Sequence, residues 1–340
     1  MDIANTRPEP ALKRRLSLRR LFGAREAGVA IALVLMCVFL AFASDAFLST
    51  RNLLNVGRQV SLIGIMAIGM TFVLISGEVD LSVGSIYALA GLATGMLIVE
   101  QWALLPAIGV GLLIGVMAGT INGVLSTYGK LPSFITTLGM LSIVRGAALL
   151  ITDGQPVTVN ERQGALPGVL AQFEFIGQGY LFGQIPMQLV FFIIIAAIGW
   201  VVLALTTYGF RVYAVGGSQK AARVSGINVF SVKIWAFVIM GALAALAGIL
   251  SLAFLPSGQA GRTGLGLELD VIAATIVGGA SLSGGEGTIP GTILGVLIIG
   301  ILRNGLVLLG ISPFAQELII GLVIIVAVAI DKWTANRPAH

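Results

Sequence analysis

The feature that most limits what this chain can fold into is a succession of apolar runs, each close to the ~20 residues that the hydrocarbon core of a bilayer requires. They fall near 28–48, 60–76, 81–99, 103–126, 131–152, 187–206, 234–255, 268–283, 289–310 and 313–331. Ten such runs predict an all-α polytopic membrane protein, because in hydrocarbon every backbone N–H and C=O must be bonded inside the structure, and helices achieve that within one segment. Composition agrees: 57% of the 340 residues are hydrophobic and 10% are charged, with a mean hydropathy of +1.01. These values exclude a soluble globule. The run at 268–283 is short, and its Gly278-Gly279 and Gly284-Gly285 pairs predict a broken or re-entrant helix rather than a full crossing.

Two polar breaks stand out against this background. Residues 76–91 read SGEVDLSVGSIYALAG, placing Glu78 and Asp80 between two apolar runs. Carboxylates so close to hydrocarbon are expensive and are turned inward or held at a helix end. Gly77 can end one helix and reverse the backbone, while Ser82 and Ser85 supply hydroxyls where the next begins. A second stretch holds related ingredients in mirrored order: Glu268 and Asp270, then an apolar run, then SLSGGEG over 281–287. Paired breaks of this kind point to a transport path, and ten spans divided into two halves of five require the repeat to be inverted in the membrane.

Individual residues keep two readings at this stage. Asp80 lines the path or braces the break by accepting backbone N–H groups, and its place beside a Ser-x-x-Ser start points to bracing. Glu268 and Asp270 form a gate near one mouth of the path or cap a broken helix. Arg145 and Arg303 lie within spans, where they must pair with acids such as Glu317 or reach an interface. Asn122, Asn304 and Gln316 suit a solute's hydroxyls and suit helix-to-helix hydrogen bonds equally.

Charge sets the orientation. Residues 1–27 carry seven basic side chains, among them Arg7, Lys13 and Arg25, and are read as a cytoplasmic tail, with 332–340 as a second. With both termini in the cytoplasm, fourteen Lys and Arg fall on that side and four on the other: Arg51, Arg58, Arg162 and Arg262. That asymmetry is the one expected of cytoplasmic loops. It also accounts for the net charge of +5, and no aromatic-interleaved basic patch supports nucleic-acid binding. Between the tails, 28–331 reads as one transmembrane domain with two long polar connections, 153–186 outside and 207–233 inside. The inner one breaks at Gly216-Gly217; Ser218 can cap a two-turn helix through Ser225 that Gly226 ends, about 12 Å long. Such a helix outside the bilayer is a surface for another protein to grip.

Glycines recur every fourth residue at 111, 115, 119 and 123, with shorter rows at 91/95 and 291/295. Small residues at this period let helices approach closely, inside one subunit more often than between two. Catalytic chemistry is sparse. A phosphate-binding Gly-x-x-x-x-Gly-Lys-Ser/Thr loop would need Gly at 124 and Ser or Thr at 131, where the chain has Val124 and Leu131. His340 is the only histidine and Cys37 the only cysteine, so neither a His/Cys metal site nor a His-assisted nucleophile is expected.

Four stretches resemble the permease subunits of bacterial ABC importers for monosaccharides, the ribose type most closely. They are GEVDLSVGSIYALAG at 77–91, GGSQKAARVSGIN at 216–228, GLELDVIAATIVGGASLSGGEGTIPGT at 266–292 and RNGLVLLGIS at 303–312. The resemblance runs from about 45 to 331, with Glu78 standing where the family usually has Gly. It implies a type II, vitamin B12 permease-like fold of about ten helices in the bacterial inner membrane, and a second permease subunit, identical or related. It further implies a periplasmic sugar-binding protein outside and an ATPase inside that carries ATP and Mg, leaving this chain without a cofactor or metal of its own. The ATPase would grip Gly217, Ser218, Lys220, Ala221, Arg223 and Gly226, and the path and its helix breaks would involve Glu78, Asp80, Ser82, Ser85, Glu268, Asp270 and Asn304. Two other readings compete: an ion-coupled secondary transporter using Glu78, Asp80 or Asp270 as proton or sodium sites, and a scaffold through which nothing passes.

Overall fold

The computed structural model describes residues 24–335, so most of the basic tail and the last five residues lie outside the described residues. Each expected apolar run contains a helix: α1 (Ala24–Ala43), α2 (Thr50–Ile75), α3 (Val83–Val99), α4 (Leu104–Thr127), α5 (Ser133–Thr152), α7 (Met187–Leu205), α10 (Val229–Phe254), α11 (Leu267–Val277), α12 (Ile289–Leu308) and α13 (Pro313–Ala335). Among the described residues, seven of these, α1, α2, α4, α5, α7, α10 and α12, are long and apolar enough to cross a membrane. With 11 residues, α11 extends only about 16 Å at 1.5 Å per residue. It reaches about halfway through a bilayer.

Two boundaries depart from expectation for the same reason. Helix α2 starts at Thr50, well before its apolar run, because the Ser49 side chain accepts the Asn52 N–H and caps it. Helix α10 starts at Val229, capped by Asn228 accepting from Ser231 N–H. Arg51, Arg58 and Lys233, expected in connections, therefore lie on helices. Hydropathy marks the part of a helix that touches hydrocarbon and is blind to the capped polar turns beyond it.

Helix α10 is the centre of the bundle, with α2, α3 and α4 against it. Glycine makes these approaches possible. A Cβ on either Gly115 or Gly241 would collide with the other's carbonyl, Gly91 lies against the Gly248 backbone, and a Cβ at Gly123 would lie 2.8 Å from the Ile234 Cα. The α4 glycine row is thus spent within the chain, where close backbone approach replaces the hydrophobic drive that lipid does not supply. Outward faces remain apolar: Phe42 is 89% exposed, Leu150 84% and Phe314 88%. That pattern suits lipid or another membrane subunit.

Both long connections are folded. In 153–186, β1 (Val157–Thr158) pairs antiparallel with β4 (Ser257–Gly258), and β2 (Tyr180–Leu181) with β3 (Ile185–Pro186). Between them α6 (Pro167–Gln178) buries Phe173 in a small cluster with Ile249 and Ala253 of α10. In 207–233, α8 (Thr207–Gly217) runs on through Gly216-Gly217 and stops at Ser218, which is extended. The expected break at the glycine pair is one residue early, because two glycines at a C-terminus do not by themselves unwind a helix whose hydrogen bonds are intact. Helix α9 (Gln219–Val224) has six residues, about 9 Å rather than 12 Å.

Candidate functional site

The site is built where α2 ends and where α11 stops short. Gly77, with φ +79°, turns the chain away from α2. Asp80 is fully buried and folds back on the start of α3: its Oδ1 accepts the Ser82 N–H at 2.8 Å and the Ser82 hydroxyl at 2.6 Å. Asn122 of α4 closes the network, donating to Ser82 Oγ at 2.9 Å and to Asp80 Oδ2 at 3.5 Å. Ser85 returns its hydroxyl to the Ser82 carbonyl at 2.8 Å. These bonds brace the break by tying Asp80 and Asn122 to Ser82, the residue just ahead of α3, whose first-turn N–H groups take no side-chain cap. Glu78, half-buried, forms an ion pair with the buried Lys233 of α10. The sequence hides that partner, since Lys233 reads there as a connecting residue.

The second break meets the first. The turn after α11 places Gly279, Gly284, Gly285 and Gly287 at positive φ, and the Gly285 N–H donates to the Ile75 carbonyl at 2.8 Å. The end of α8 sits on both. A Cβ at Gly216 would overlap the Ile75 carbonyl and the Gly285 nitrogen, and one at Gly284 would lie 3.0 Å from the Gly77 Cα and the Gly216 carbonyl. Tyr213 of α8 adds a hydroxyl bond to the Gly287 carbonyl at 2.6 Å. Three segments therefore join backbone to backbone, and α9 projects directly from this junction. Ser218 Oγ caps α9 by accepting the Ala221 N–H at 3.2 Å, and Gly226 follows at φ +79°. Ala222 is buried while Lys220, Ala221 and Arg223 are exposed, and the Arg223 guanidinium lies 5.3 Å over the Phe230 ring. Gly217 has open space around it.

At the opposite end of α2 and α12 the joints are side chains. Arg303 Nη2 donates to both oxygens of Asp270 at 2.8 Å, with the exposed Glu317 at 3.7 Å. Asp270, rather than Glu317, is the principal partner, since it is buried and lies closer. Asn52 and Asn304 exchange amide hydrogen bonds of 3.0 and 2.8 Å. Asn304 is thus a clasp between α2 and α12. Arg145 bonds the Ala260 and Thr263 carbonyls at 2.7 and 2.5 Å, not an acid, while Glu268 stands within electrostatic reach of it and beside Gly84. Neither Glu268 nor Asp270 caps α11, whose first turn follows Gly266 without a side-chain bond. Asp270, Arg303 and Asn304 border a cavity of about 340 Å³ that also contacts Gln59, Met66 and Gln316.

Comparison with known proteins finds relatives along most of the chain. Residues 52–328 match the family described as branched-chain amino acid transport system, permease component. The chain is 42% identical over 305 residues to the ribose import permease protein RbsC of Bacillus subtilis, covering 90% of this chain and 92% of that one. The RbsC of Haemophilus influenzae is 40% identical over 307 residues, 90% and 93% of the two chains. The L-arabinose transport system permease protein AraH of Escherichia coli is 35% identical over 306 residues, 90% of each chain. No solved structure matches.

Proposed function

The chain belongs to the family of branched-chain amino acid transport system permease components, and on that premise we propose that it is the membrane-spanning subunit of an ATP-driven importer whose cargo is a neutral monosaccharide, ribose or a similar pentose or hexose. The cargo reading rests on relatives named for ribose and L-arabinose, at 35–42% identity over nine-tenths of the chain. The observation that carries the mechanism is the glycine junction. It seats the end of α8, from which α9 projects, against the end of α2 and the turn after α11, through the close approach of Gly216 to both and the Gly285–Ile75 hydrogen bond between them.

In this reading α9 is the cytoplasmic handle. A separate ATPase subunit, holding ATP and Mg, grips its exposed Lys220 and Arg223. Because the contacts behind α9 are backbone rather than rotatable side chains, a displacement of α9 moves the two breaks with it. Both termini lie in the cytoplasm of a bacterial inner-membrane protein, α3, α11 and α13 complete ten membrane segments in a type II arrangement with an inverted repeat, and two permease subunits pair around the path. A periplasmic binding protein delivers sugar to the end where Arg303 meets Asp270. The chain is a transport subunit and performs no covalent chemistry.

The ion-coupled alternative draws no support from the carboxylates it would use: Glu78 is held by Lys233, Asp80 by Ser82 and Asn122 and Asp270 by Arg303. The test is uptake in sealed vesicles holding this chain, the ATPase subunit and a candidate binding protein. Uptake that requires ATP and all three components is expected. Accumulation by this chain alone on a proton or sodium gradient would overturn the proposal.

A further inference from the structure

We infer that the cavity of about 340 Å³ between α2, α11, α12 and α13 is a resting subsite for one neutral polyhydroxylated solute, a step that rests on the sugar-permease reading above. Its size is at the small end of the ~300–1,000 Å³ usual for ligand pockets. Its floor is apolar: Ile63, Met66 and Tyr87 are all buried. Its walls hold hydrogen-bonding groups that the protein does not consume. Arg303 Nε is buried without a partner, although the same side chain fixes Asp270. Gln316, 9% exposed, donates once to the Ile311 carbonyl at 2.8 Å, and its remaining amide hydrogen and oxygen have no partner among the described residues. Gln59 at the mouth makes no hydrogen bond among the described residues. It continues an exposed row of Arg51 and Asn55 at four-residue spacing on α2. Polar groups repeated along one face of a membrane helix face water, not lipid.

Arg303 Nε is a buried donor left unmade, which costs stability; the Gln316 and Gln59 amides add free donors and acceptors toward the mouth, and the group that answers both kinds at one atom is a hydroxyl. Arg303 and Asp270 neutralise each other, and Glu317 stands near Arg303 at the rim. Full charges on a solute are therefore left without a counter-ion, and a phosphorylated sugar is disfavoured. An apolar floor under polar walls matches a sugar ring, whose C–H face is apolar and whose edge carries hydroxyls. The site needs only weak affinity, since a tightly held solute would not leave.

The test uses the assembled transporter with Cys37→Ser and Val307→Cys. Val307 borders the cavity and is 60% exposed, so the new thiol reacts with a polar thiol reagent. Ribose at about four times its half-saturating concentration is expected to slow labelling about fivefold, the factor for a site four-fifths occupied. Ribose 5-phosphate is expected to leave it unchanged. Gln316→Leu and Gln59→Leu, made separately so that one failing to fold leaves the other informative, are expected to abolish protection. Equal protection by the phosphorylated sugar, or protection that survives both substitutions, overturns the inference. ATP-driven uptake without any protection sinks the subsite and leaves the permease reading standing. Protection without ATP-driven uptake does the reverse.

Discussion

The two ends of α2 are secured by different chemistry. At its C-terminal end, Ile75 and Gly77 meet Gly216, Gly284 and Gly285 through main-chain atoms. At its N-terminal end, Asn52 clasps Asn304 while Arg303 holds Asp270 beside a cavity. Main-chain contacts have no rotamers to absorb a push, so they transmit displacement. Side-chain pairs can part and re-form, so they suit an end that opens to a solute. The importer proposed above, driven from one side and loaded from the other, would need both kinds of joint, and one helix joins them.

The difference sets an order of expected effects. Largest is the Glu78–Lys233 pair, close to the glycine junction. Lys233→Ala should cost about 3 kcal/mol in unfolding measured in detergent, the low end of the range for a broken buried pair, because the carboxylate left alone is only partly screened by water. The double variant Lys233→Met with Glu78→Leu should recover most of that loss. A double variant no better than the single would show that the pair is not what Lys233 contributes. Next is Gly216→Val, which drives a branched side chain into the Ile75 carbonyl and should cost about 1–3 kcal/mol, seen as a lower midpoint of thermal unfolding. At the other end, Asn304→Ala leaves one Asn52 amide group unpaired and should cost about 1 kcal/mol in the same assay. A loss there larger than that of Gly216→Val would invert the proposed division of labour. Smallest is Glu317→Gln. Its carboxylate is 74% exposed at 3.7 Å from Arg303, so stability should change by less than about 0.5 kcal/mol, and less again at high salt.

Much of this architecture is legible in the chain's own residues. The runs of apolar residues locate the helices because length and hydropathy are what a bilayer selects. The Asp80-x-Ser82 pattern announces its bracing role because a carboxylate two residues before the residue that precedes a helix has that residue's N–H within reach. Ser218 as the cap of α9 and Gly226 as its end follow from local chemistry of the same kind. Contacts between distant segments are not legible in this way. Nothing near Glu78 marks Lys233 as its partner 155 residues on, and nothing in SLSGGEG says that Gly285 will bond Ile75. Arg145 shows the limit most clearly: an intramembrane arginine is expected to seek an acid, yet two carbonyls of the 260–263 turn take its charge. Carbonyls have no sequence signature, since every residue carries one.

The decisive experiment is to measure sugar uptake and ATP hydrolysis together in the reconstituted importer carrying Gly216→Ala, the smallest change that places an atom between α8 and the Ile75 carbonyl. Helix α9 is untouched, so the ATPase subunit should still co-purify and hydrolyse ATP. Sugar moved per ATP should fall at least about tenfold, the factor that ~1.4 kcal/mol of lost coupling produces. An unchanged ratio of sugar to ATP, with the variant folded and assembled, would contradict the claim that the glycine junction carries motion from α9 to the broken helices.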